Sequence, residues 1–90
     1  MKKQFNESLN TAVFTTNYIL NGSPILHVYH YEEDGAWQFS GIEQENEEDI
    51  KVISLEEIIN LDNSILELTD LELGGEAYRK DKNSDWIIKN

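Results

Sequence analysis

Two histidines and one acidic run are the residues of this 90-residue chain with the means to do chemistry. His27 and His30 stand three apart in Ile25-Leu26-His27-Val28-Tyr29-His30-Tyr31, a β-branched and aromatic stretch that reads as a strand. Side chains alternate along a strand, so the two imidazoles point to opposite faces and do not converge on one metal ion. There is no cysteine, which removes thiolate metal sites, disulfides and cysteine nucleophiles. In the acidic run, Glu43, Glu45 and Glu47 alternate as in a calcium loop. That loop needs Gly at its sixth position and Glu at its twelfth, where this chain has Glu48 and Ser54. A solvated acidic loop is the expected form of Glu43, Glu45, Glu47, Glu48 and Asp49. No Gly-x-Ser-x-Gly elbow and no glycine-rich phosphate loop is present. No catalytic site and no cofactor or metal site is expected.

The acidic run has a second use, as a contact surface. Between Gln4 and Tyr78 the only Lys or Arg is Lys51, against sixteen Asp and Glu, and the net charge is −11. Such a surface repels phosphate backbones, which excludes nucleic acid as a partner. It accelerates encounter with a basic protein. Tyr29 and Tyr31 share one face of their strand and offer the amphipathic contact chemistry common at interfaces. The partner-binding candidates are therefore Tyr29, Tyr31, Glu43, Glu45, Glu47, Glu48 and Asp49. Trp37 and Phe39 read as core, and Arg79 as a structural cation that pairs with a carboxylate and orders the end of the chain.

These residues need positioning elements. Residues 1–11 are polar and are expected to be flexible, ahead of a single α+β domain over 12–90. Ala12–Thr16 reads as a strand. The stretch Ile25–Tyr31 pairs through the turn Glu32-Glu33-Asp34-Gly35 with a strand over Ala36–Ile42. Ile50–Ile53 is a short strand or a lead into a helix. Ser54-Leu55-Glu56-Glu57 is a capping box, and Leu55, Ile58, Ile59 and Leu61 make the apolar stripe behind it. Asp62-Asn63-Ser64 breaks that helix and caps a second one. Glu76–Arg79 and Trp86–Ile88 form a terminal hairpin. Strands first and helices later predict an α+β domain, with an antiparallel sheet of four to five strands and one or two short helices on one face. Apolar residues make up 39% of the chain, enough for one core despite the charge. The first residues lack the apolar run of a signal peptide, and no segment is long and apolar enough to span a bilayer. A domain without disulfides fits a cytoplasmic setting.

Three stretches carry a resemblance. The turn leads into Trp37-Gln38-Phe39-Ser40-Gly41 and Glu43; Ser54–Ile59 precedes Asp62-Asn63-Ser64-Ile65; and Gly75-Glu76-Ala77-Tyr78-Arg79 follows. In this ordered series, over roughly residues 12–86, the chain resembles the immunity-protein-33-like family of small bacterial proteins, formerly a domain-of-unknown-function family. That family often has a basic residue between the Trp and the Phe, where this chain has Gln38. The resemblance implies a non-enzymatic domain that binds and neutralises a basic toxin domain. The alternative is a stand-alone housekeeping or regulatory domain, a monomer or a homodimer formed through a sheet edge.

Overall fold

A computed structural model describes residues 4–41 and 46–89 of the protein. It is an α+β fold with a six-stranded mixed sheet. The strands are β1 (Ala12–Thr16), β2 (His27–His30), β3 (Trp37–Ser40), β4 (Ile50–Ser54), β5 (Glu76–Tyr78) and β6 (Ile87–Lys89), in the spatial order β4-β1-β3-β2-β5-β6. Helix α1 (Asn17–Leu20) follows β1, and α2 (Leu55–Leu61) leads into a 3₁₀ helix over Asn63–Leu68. Among the described residues no helix is long and apolar enough to cross a membrane.

The sheet corrects the expectation of a four- to five-stranded antiparallel one. Ile50–Ser54 is a full strand, paired along its whole length with β1 in antiparallel register from Ala12–Ser54 to Thr16–Ile50. On its other side β1 runs parallel to β3. Thr16 stops β1 by accepting a hydrogen bond from the Ile19 amide, which starts α1. The chain then crosses over and enters the sheet two places away. β3 returns through the Gly35 turn (φ 73°) into the vacant place. It must run antiparallel to β2 and hence parallel to β1. The buried hydroxyl of Thr15 donates to the Phe39 carbonyl at 2.9 Å and fastens this parallel pair.

One face of the sheet is covered. Val13, Val28, Trp37, Phe39 and Ala77 point from it into a core completed by Leu55 and Ile58 of α2 and by Ile65 and Leu68 of the 3₁₀ helix. Ser54 caps α2 by accepting from the Glu57 amide at 3.2 Å, while its hydroxyl also reaches the Glu57 carboxylate. Residues from the 1–11 segment join this layer. Phe5 is buried edge-on to Trp37, and the Trp37 Nε1–H donates to the Glu7 carboxylate at 2.7 Å.

Arg79 closes the opposite end. It is buried, and its Nε–H donates to the Ile25 carbonyl at 2.9 Å. One terminal nitrogen donates to Ser64 and to the Lys82 carbonyl; the other donates to Asp62 at 2.6 Å. Trp86 lies over the guanidinium at 4.1 Å. Asp62 also caps the 3₁₀ helix through the Ser64 amide. Burial raises the Asp62 pKa, but hydrogen bonds from Ser64 and Arg79 and the guanidinium charge outweigh it, so the carboxyl is held below its ordinary 3.8.

A depressed folded-state pKa contributes stability that is present above the unfolded value and lost as pH falls through the folded one. Asp62→Asn should therefore flatten the fall in stability below about pH 4 in urea titrations. Some acid sensitivity should remain through Asp81, whose carboxyl is lowered by the Asn83 amide and the Ser84 hydroxyl. Arg79→Ala strands the Asp62 carboxylate and should cost about 3–5 kcal/mol by the same assay at neutral pH. Equal acid limbs in wild type and Asp62→Asn would remove the pair from this role.

Candidate protein-docking face

Helices cover one face of the sheet, and the other stays open. The pairing register sets what it displays. One lateral row, Val52, Phe14, Gln38, Tyr29, Glu76 and Lys89, crosses all six strands in that order. A second row runs Ser40, which is itself buried, His27, Tyr78 and Ile87 across β3, β2, β5 and β6. Val52 is 60% exposed, Ile87 51% and Tyr78 37%. Exposed apolar and aromatic side chains, Val52, Phe14, Tyr78 and Ile87, thus stand among polar ones on this face.

The aromatic part of this face is held rigid. The His27 and Tyr29 rings lie 4.4 Å apart, Tyr29 and Tyr31 stack at 6.0 Å with 16° between their planes, and Tyr78 meets His27 edge-on. Polar atoms lock the rings. The Tyr29 hydroxyl donates to His27 Nδ1 at 2.9 Å, and His27 Nε2–H faces the Glu76 carboxylate at 3.2 Å. The Tyr31 hydroxyl donates to the Gln38 side-chain carbonyl at 2.6 Å, and the Gln38 amide donates to Ser40 at 3.0 Å. Hydroxyl, imidazole and carboxylate in series make a proton relay in form. Here the hydroxyl is a phenol within a ring stack, and the relay orients three side chains on the face. Rigid tyrosines bring contact area at low conformational entropy cost.

Acids rim this surface. Beside the tyrosines a shallow depression of about 310 Å³ is lined by Phe14, Tyr31, Glu33, Asp34, Gln38 and Ile50, among others. Glu33 and Asp34 belong to the β2–β3 turn and are exposed. Glu47 and Glu48 are exposed on a 3₁₀ turn, Glu47–Asp49, which delivers the chain to Ile50. Glu43 and Glu45 lie outside the described residues. Asp49 differs from its neighbours. It is 8% exposed, its carboxylate accepts the Asn46 amide at 3.0 Å, and the Tyr18 hydroxyl reaches it at 3.5 Å. Asp49 thus holds its own turn together and faces inward, because a buried carboxylate needs donors.

Of the remaining candidates, Tyr29 and Tyr31 stand on the open face, while Trp37 and Phe39 lie in the core and Arg79 in the buried network. His27 and His30 lie on opposite faces. His30 stacks on Trp37 at 3.9 Å, and its Nδ1–H donates to the Leu71 carbonyl at 2.9 Å. Among the described residues no three His, Asp or Glu side chains gather as a metal site. Phe14, Val52 and Tyr78 belong to the face yet were not among the candidates. Alternation within Ala12–Thr16 and Ile50–Ile53 was the available signal, once both were known to be strands. The His27–Glu76 contact had no sequence signal, because it depends on β5 pairing with β2.

Comparison with protein-family models, with curated proteins and with solved structures gives no match.

The two histidines should occupy opposite tautomers when neutral, since a carbonyl and a carboxylate only accept. Long-range ¹H–¹⁵N spectra should show the proton of His27 on Nε2 and that of His30 on Nδ1. Glu76→Ala removes the acceptor at Nε2, and should release the His27 preference and leave His30 unchanged. The same tautomer at both sites would contradict the hydrogen bonds described.

Proposed function

We propose that this chain is a non-enzymatic protein-binding domain of the immunity type, which neutralises a basic toxin domain by laying the open face of its sheet over it. The observation that carries this reading is the ring cluster of His27, Tyr29, Tyr31 and Tyr78 on an uncovered face, in a chain of net charge −11. Each part has a physical task. The acids at Glu33, Asp34, Glu47 and Glu48 steer a cationic surface towards the face and speed its encounter. The tyrosines then give close-range contact, and their rings accept Lys or Arg side chains by cation–π attraction. Hydroxyls already engaged with His27 and Gln38 keep the rings in place before binding, which lowers the entropy cost of association.

The division of labour separates two kinds of variant. With tagged protein as bait in the source cells, the captured partner should be basic and should leave the bait as salt rises. Tyr29→Ala/Tyr31→Ala should lose it through faster dissociation, by about tenfold or more, while circular dichroism stays that of a folded domain. Glu47→Lys/Glu48→Lys should slow association and weaken its salt dependence, with little change in dissociation. Capture unaffected by either pair of changes would overturn the assignment of this face.

A further inference from the structure

The sheet has two free edges, and they are unlike. β4 carries Lys51, an edge charge of the kind that discourages strand addition. β6 presents Ile87 and Ile88, which are 51% and 48% exposed. Its polar groups can be assigned. The Arg79 amide donates to the Leu26 carbonyl, and the His30 amide donates to the Gly75 carbonyl. Hydrogen-bonded pairs recur every second residue in an antiparallel ladder, so Ala77 also turns its amide and carbonyl towards β2. Glu76 and Tyr78 therefore turn theirs towards β6, where they meet Lys89 and Ile87. Ile88 is left with its amide and carbonyl pointing out of the sheet.

The residues around this edge are self-complementary. Asp85 and Lys89 are exposed, and neither side chain has a hydrogen bond or ion pair among the described residues. They lie symmetrically about Ile87. If a second β6 is laid antiparallel with Ile87 opposite Ile87, Asp85 of each copy falls opposite Lys89 of the other. Ile88 then falls opposite Trp86 of the second copy. Ile87 has no outward backbone bonds to make, so the central pair is of the close, non-hydrogen-bonded kind, which brings the two Ile87 side chains together. Four of the chain's seven basic residues, Arg79, Lys80, Lys82 and Lys89, fall within this terminal stretch. Arg79 is buried against Asp62, but Lys80, Lys82 and Lys89 are exposed and outnumber Asp81 and Asp85, so like-charge repulsion between two acidic chains is reduced here.

We propose that the β6 edge is a homodimer interface, in which two copies join their sheets through an antiparallel β6–β6 pair centred on Ile87, with Asp85–Lys89 contacts across it. The pairing is isologous and closes after two copies. A three-residue edge gives a small interface and therefore a weak, reversible dimer. This proposal does not depend on the docking face and stands or falls separately.

Sedimentation of the full chain over a concentration series, up to about 100 µM and beyond, should show the average mass rising from the monomer value towards twice it. Asp85→Lys puts Lys opposite Lys89 twice and should weaken association about tenfold or more. Asp85→Lys/Lys89→Asp restores opposite charges and should recover most of the loss. Lys89 also stands beside Glu76 in register, so Lys89→Asp alone is the less informative change. Hydrogen exchange supplies a readout that needs no variant. Protection of the Ile88 amide should increase with protein concentration, while amides of β4 do not respond. A monomer at every concentration, a dimer indifferent to Asp85→Lys, or an Ile88 amide whose exchange ignores concentration would overturn the proposal.

Discussion

A single guanidinium ties together four parts of the chain. Arg79 leaves the end of β5 and touches the segment before β2, the joint between α2 and the 3₁₀ helix, the terminal turn and the Trp86 ring. Its planar fork suits this, because several donors leave one rigid group in fixed directions. Its charge is costly to bury and is answered by Asp62, which in turn starts the 3₁₀ helix. That helix contributes Ile65 and Leu68 to the core under the sheet. The covered side of the fold, and with it the exclusive exposure of the other side, therefore rests on a cation placed where four segments converge.

The chain's local elements were legible because local chemistry determines them. Ser54 and Asp62 are short polar acceptors ahead of apolar periodicity, and each starts a helix. Gly35 takes the positive φ that the β2–β3 turn requires. Alternation along Ile25–Tyr31 places Tyr29 and Tyr31 on the face opposite Val28, and the face that buries Val28 is the covered one. The order of strands was not legible. Ala12–Thr16 is apolar enough to sit anywhere in a sheet, and only the competition among partners puts β3 on one side of it and β4 on the other. Pattern reveals period, whereas pairing is a global choice.

The same limit applies to the open face of the sheet. Tyr29 and Tyr31 could be selected from the sequence as a pair on one side of a strand, but their lateral neighbours could not. Phe14 and Gln38 come beside Tyr29 only through the parallel β1–β3 register, and Glu76 only through β5. Asp49 misleads in the opposite sense. It sits in an acidic run and has the composition of a solvated loop, yet the Asn46 amide and the Tyr18 hydroxyl draw it inward. Charge density along the chain does not say which carboxylate will find donors.

β1 occupies an inner position of the sheet although it is the first strand in the chain. Neither of its neighbours exists when it leaves the ribosome: β3 lies more than twenty residues later, and β4 later still. Its contacts are non-local, the kind that make folding slow. Until residues 37–54 emerge, Ala-Val-Phe-Thr-Thr is an apolar strand with both edges bare, a segment prone to pairing with other nascent chains. From Glu32 to Asp49 the chain adds eight carboxylates and no base, and their mutual repulsion keeps unfinished copies apart while β1 waits for its neighbours.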